Sequence, residues 1–239
     1  MEFLNDAGKS LPIELRRRKG ARHLKLTLGL RNQIVVSAPW RTSDRHVLHF
    51  LEAQRSWIDA QLADAPEVFT ISEWLRLHPR VSVSGDILSV RVEVDPGARH
   101  GYSFDEGGSV LCLKPVGRDD ASLLKLVREF ARDALICRTY YHAKRVRVRI
   151  GRISVRDQSS RWGSCSASRC ISLNWRLVLL EPCLQDYVIL HELAHLSEMN
   201  HGPRFWSLLK SYDPDRLKHE QALDAVSSSI MRVGRLEAP

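Results

Sequence analysis

Residues 191–206 read HELAHLSEMNHGPRFW. This run offers three histidines and two glutamates, and its spacing decides which of them can act together. His191 and His195 are four positions apart. On a helix of about 3.6 residues per turn that spacing puts both imidazoles on one face, one turn apart, where they can share a single ion. Glu192 then lies about 100° round from His191, outside the ligand stripe but within reach of a water at the ion. Nitrogen ligands of this kind suit zinc, and a fourth position left open makes a site catalytic rather than structural.

Two residues compete as third ligand. Glu198 stays on the His191–His195 stripe only if the helix continues, and it would then sit about 10 Å along the axis from His191. His201 would point to the far side of an unbroken helix. It becomes a ligand if the helix ends and the chain doubles back. The intervening NHGP supplies the means: Asn200 tolerates the left-handed region, Gly202 is permissive, and Pro203 cannot continue the preceding helix. His201 is therefore favoured and Glu198 read as a bystander. The resulting HExxHx5H spacing is shared with the metzincins, but those carry glycine three residues after the second histidine, where this chain has Glu198, and no methionine turn follows.

Working outward, residues 184–199 form the helix that carries the motif. Pro203 opens a further helix to 210, and Pro214 a last one to about 228. Upstream, Ile171, Leu173, Trp175 and Leu177 alternate with Ser172, Asn174 and Arg176, which predicts a strand over 170–178. Asp119 caps a long helix to about 144, with Leu123, Val127, Ala131 and Leu135 on one face. The first half is β-rich: period-two runs over 13–36 with a turn at Arg31-Asn32, then strands at 81–84, 88–94 and 110–114. One helix interrupts them, from the Ser43 cap to about Ala63. The fold class is α+β, with a β-rich region over 1–118 and a catalytic domain over 119–239.

Composition narrows the function classes. The chain has 239 residues, 44% hydrophobic and 27% charged, which is ordinary for a globular protein. No apolar run approaches the roughly 18 residues that span a bilayer, and the N-terminus has no charged-then-apolar leader pattern, so a cytoplasmic protein without membrane contact is expected. Five cysteines, with no CxxC pair, argue against a disulfide framework and against a zinc ribbon. The net charge of +8 is dense at 16–25 and again at 142–152, which would suit nucleotide or nucleic acid as a partner.

Two segments carry a resemblance. SRWGSCSASRCISLNWRLVLLEP (160–182) and DYVILHELAHLSEMNHGPRFW (186–206) resemble the YgjP-like metallopeptidases, a bacterial family related to the SprT and WLM-type zincins. The likeness extends more weakly back to Ile13, through a basic hairpin and the QRSWI stretch at 54–58. It implies a zincin-like fold, with one zinc ion per chain held by His191, His195 and His201 and with Glu192 in catalysis. The 170–178 strand would form the sheet edge above the cleft, with the 119–144 helix behind it. RWGSC, from Arg161 to Cys165, would line the approach to the metal. Arg161, Trp162, Asn174 and Arg204 are the candidate substrate-binding residues; packing is the alternative use for Trp162, and Arg161, Arg204 and Tyr212 are candidate oxyanion donors.

Three functions fit these residues. The first is a zinc peptidase in which Glu192 takes a proton from water and hands it to the leaving amine. The second is a nucleoside triphosphate pyrophosphohydrolase on the same metal centre, although no P-loop supports it. The third is a non-enzymatic nucleic-acid-binding protein with structural zinc, which has no need of Glu192.

Overall fold

A computed structural model describes residues 2–4, 10–94 and 99–236. Compact packing divides the chain into two units, Met1–Val68 and Phe69–Pro239.

In the first unit, β1 (Glu2–Leu4), β2 (Ser10–Arg18), β3 (Lys25–Leu28) and β4 (Ile34–Pro39) form one sheet in the order β1-β2-β4-β3. Central β4 pairs parallel with β2 and antiparallel with β3, and it buries Ile34, Val35, Val36 and Ala38. The expected turn is present: Asn32 takes a φ of 56°, a conformation asparagine tolerates better than most residues. Ser43 caps α1 (Asp44–Ala53) by accepting from the His46 N–H at 3.3 Å. The single helix expected to Ala63 is two, because the chain breaks at Gln54 before α2 (Arg55–Ala63). Val47, Leu51 and Ile58 close the core of this unit.

The second unit begins with α3 (Ile71–Leu77), held by a reciprocal capping box between Thr70 and Glu73. Strands β5 (Arg80–Val83), β6 (Asp86–Val92), β7 (Gly101–Phe104) and β8 (Val110–Lys114) form a sheet in the order β5-β6-β8-β7. α4 (Asp120–Arg145) follows its Asp119 cap as expected. Buried Asp120 accepts from the Ser72 N–H at 2.8 Å and so joins the first turns of α3 and α4. Val81, Leu88, Leu111 and Leu113 share one core with Leu126 and Phe130 of α4. That shared core lies within the compact unit that begins at Phe69.

Three strands then build the platform for the site. β9 (Arg152–Arg156), β10 (Gly163–Cys165) and β11 (Cys170–Asn174) lie in the order β10-β11-β9. The edge strands are therefore β10 and β9, and β11 is central. The strand expected to run to Val178 stops at Asn174, whose side chain accepts from the Arg176 N–H and starts a 3-10 turn over Trp175–Leu179. The alternation misled because Trp175, Arg176, Leu177 and Val178 are all buried, so the period-two pattern marks no solvent face.

Pro182 opens α5 (Pro182–Ala194), Pro203 opens α6 (Pro203–Tyr212), and α7 (Arg216–Ile230) completes the unit. α5 is buried along most of its circumference, as expected of a helix packed on several sides. No helix among the described residues is long and apolar enough to cross a membrane. All five cysteines are free thiols.

Candidate metal centre

α5 ends at Ala194, five residues before the expected stop, and this early end shapes the site. His195 keeps helical angles as the cap, so the four-residue spacing to His191 is retained. Tight turns follow at once: Leu196 N–H donates to Leu193 O and Ser197 N–H to Ala194 O. The chain doubles back without left-handed residues, since neither Asn200 nor Gly202 has a positive φ. A Gly202 N–H to Asn200 O bond of 2.7 Å makes the last bend, and Pro203 begins α6.

This path brings His201 to the first pair. One ligand atom from each of His191, His195 and His201 lies within 4.8 Å of the others. His191 Nε2 and His201 Nε2 are 3.0 Å apart. Two nitrogens bound to one tetrahedral zinc at about 2.0–2.1 Å would be about 3.3 Å apart, so the arrangement fits such an ion. Burial, reinforced by His195 and His201, pushes the His191 pKa down to about 4, and burial lowers His195 as well. Both rings are thus neutral near pH 7, as metal ligation requires.

The imidazoles are held from behind. His195 Nδ1 lies 3.1 Å from the Glu198 carbonyl. That contact fixes the tautomer with its proton on Nδ1 and leaves the Nε2 lone pair for an ion. Glu198 thus contributes through its main chain. Phe205 stacks on His195 at 4.5 Å between ring centres, and Trp206 stacks on His201 at 5.4 Å. The aromatic pair after Pro203 orients two of the three imidazoles. Its spacing in α6 was visible in the sequence, but its partner rings were not.

Glu192 is buried, and its Oε2 has no hydrogen-bond partner among the described residues. Burial pushes its pKa up to about 8, with the charge of Arg161 opposing. Against it lies Gly163 of β10, where an added Cβ would stand 2.6 Å from Glu192 Cγ and Oε1. This contact gives RWGSC a definite position: its glycine permits the edge strand to close on the carboxylate.

The remaining candidates separate. Trp162 lines a cleft together with His191 and Glu192, and its indole N–H donates to Ser227 Oγ at 2.8 Å. Asn174 is fully buried, and its amide donates to the main-chain oxygens of Gln158 (3.0 Å) and Arg161 (3.2 Å). It braces the RWGSC loop from inside and presents nothing to the cleft. Arg161 and Arg204 are exposed. Tyr212 is half-buried at the end of α6, with its pKa raised by burial.

Among solved structures, the crystal structure of the metallopeptidase zymogen of Pyrococcus abyssi abylysin is similar over 40% of this chain and 97% of that chain. Its identity is 19% and its TM-score 0.35, a likeness that carries no argument about this protein. No curated protein matches it. The model of the YgjP-like metallopeptidase domain matches residues 22–226, and with most of its length so covered the chain belongs to the YgjP-like metallopeptidase family.

Proposed function

We propose that the chain is a zinc peptidase in which His191, His195 and His201 hold one zinc ion and Glu192 is the general base. Family membership makes it a metal-dependent peptidase in general. The finer reading rests above all on the convergence of the three imidazole ligand atoms. When bound, the ion supplies Lewis acidity, lowering the pKa of a water toward about 7 and polarising the scissile carbonyl.

The chain's own residues supply the rest. His195 acts as a ligand in the tautomer that the Glu198 carbonyl selects. Glu192 accepts the water's proton and delivers it to the leaving amine. Its raised pKa reflects burial without a nearby cation, and any cation among the imidazoles pulls it down towards the ionised state that a base needs. Gly163 sets the position of that carboxylate. An extended peptide can pair with the edge strand β10 through main-chain hydrogen bonds, which would carry it past Glu192.

Phosphoanhydride hydrolysis is less well supported. The cleft beside the site presents Glu220 and Asp224, which repel phosphate. Arg16 and Arg17 of β2 are engaged by Glu14 and Asp44. His142 of the second basic cluster is buried beside Asp186. A structural-zinc protein would have no use for a buried, unpartnered Glu192.

The test is direct. Purified protein should carry about one zinc per chain, in line with three protein ligands and an open position. His201→Ala should lower that content. Glu192→Gln should keep the metal and lose cleavage of a denatured protein, with nucleoside triphosphates untouched by either form. Full zinc occupancy in His201→Ala, or full activity in Glu192→Gln, would overturn the assignment.

A further inference from the structure

A cleft of about 210 Å³ adjoins the imidazole cluster, lined by His191 and Glu192 of α5 and by Glu220 and Asp224 of α7. Such a volume is far more than one water needs and admits a long side chain. Tyr187, Val188 and Leu223 give it apolar walls, and Trp162 is pinned into the lining by its bond to Ser227. The cleft is continuous with the reacting centre, because Glu192, only 6% exposed, lines it with Oε2 unpartnered.

Its charge runs against that of the chain, which is +8 overall. Glu220 and Asp224 are four apart on α7, so they share one face of the helix. Arg216 meets Glu220 at 3.4 Å while its guanidinium also lies over the Trp206 ring. Asp224 is exposed and forms no ion pair among the described residues. One arginine therefore faces two carboxylates, and an acidic excess remains at an otherwise apolar cleft.

We infer that this cleft receives the substrate side chain next to the scissile bond and selects lysine or arginine there. The methylene stem would lie along Tyr187, Val188 and Leu223 while the cationic head meets Glu220 and Asp224, the arrangement long basic side chains adopt at mixed surfaces. The inference rests on the peptidase reading, since it names that enzyme's substrate class.

Two measurements on the full-length, zinc-loaded protein test it. In the first, peptides differing only in one residue (lysine, arginine, norleucine or glutamate) are digested and the cut sites read by mass spectrometry. Cleavage beside lysine or arginine should exceed that beside norleucine by about tenfold, the effect of two partly exposed ion pairs. Asp224→Asn and Glu220→Gln should each reduce the ratio, and Asp224→Lys should shift preference toward glutamate. In the second, the Trp162 indole N–H resonance is followed while arginine amide or norleucine amide is added. Arginine amide should bind about tenfold more tightly, and Asp224→Asn should narrow the difference. Cleavage without basic preference overturns the inference and leaves the peptidase intact. If no peptide is cut, the peptidase reading fails, and equal binding of the two amides overturns the inference on its own.

Discussion

Replacing Gly163 by alanine adds one methyl group in a place already filled. The new Cβ would stand 2.6 Å from Glu192 Cγ and Oε1 and 2.8 Å from Cδ. Carbon atoms pack at about 3.5–4.0 Å, so one partner must retreat by about 1 Å. Gly163 is not among the positive-φ glycines, so its backbone accepts alanine without strain. Nor is β10 free to move, being paired with β11 and tied by the Asn174 N–H to Trp162 O bond of 2.8 Å. Glu192, a side chain with rotatable bonds, has to yield. A base displaced by about 1 Å lowers kcat by about 10²-fold. The three atoms nearest the new methyl all belong to Glu192, so zinc content should stay at the wild-type level, and overpacking should lower stability by about 1–3 kcal/mol at most. Steady-state kinetics on one peptide, metal analysis and a denaturant melt together decide the matter. Wild-type kcat in Gly163→Ala would refute the claim that this contact positions the base. Loss of zinc in parallel with activity would refute it too, by moving the damage to the ligands.

Two further outcomes follow from the support around the site. Burial alone would raise the Asp157 pKa, but Arg176, Arg235 and Arg128 together hold it below the usual carboxylate value. Its contribution to stability is therefore complete above the unfolded value of about 3.9 and is lost as pH falls through the lower native value. Asp157→Asn should weaken the fold at pH 7 by on the order of 3 kcal/mol, because it leaves the buried guanidinium of Arg176 without its counter-charge. Below pH 4 the gap to wild type should narrow, and urea melts showing a constant gap from pH 7 to pH 3 would sink this account. For Asn174→Ala, loss of two buried amide bonds should lower stability by about 1–3 kcal/mol while the ranking of peptide substrates stays the same. A changed ranking would return Asn174 to the binding surface.

What was legible in the sequence was what local geometry determines. The pairing of His191 with His195 needs only the helical period, and the long helix after Asp119 needs only a cap and an apolar stripe. His201 was reachable because a proline and a glycine interrupt the helix, yet the route of the turn was not. The expected left-handed residues are absent, and the chain bends by i→i+3 contacts beginning at the second histidine itself. Both paths predict the same third imidazole, since either one ends the helix in time. The failure at Trp175–Leu179 has the opposite cause. There a period-two pattern arose by chance among residues buried on every side, and the Asn174 side chain, accepting from the Arg176 N–H, ended the strand.

The less legible half of the site depends on contacts between segments distant in sequence. RWGSC precedes Glu192 by about thirty positions, and its meaning lies in the hairpin of β10 with β11, which sets Gly163 against the carboxylate. No periodicity encodes that meeting. Glu198 makes the same point within a short span. By spacing its side chain lies too far along the axis to be a ligand, while its carbonyl is the group that orients His195. Main-chain atoms are carried by every residue, so residue type cannot announce them; only the path of the chain can. The same holds for Glu220 and Asp224, which on a surface helix read as ordinary solvated charges. Their significance comes from α7 facing α5 across the cleft, so that two carboxylates and the buried Glu192 share one space. Motif spacing thus identifies the groups that would perform the chemistry, whereas the groups that aim them and choose their substrate emerge only when the chain is folded.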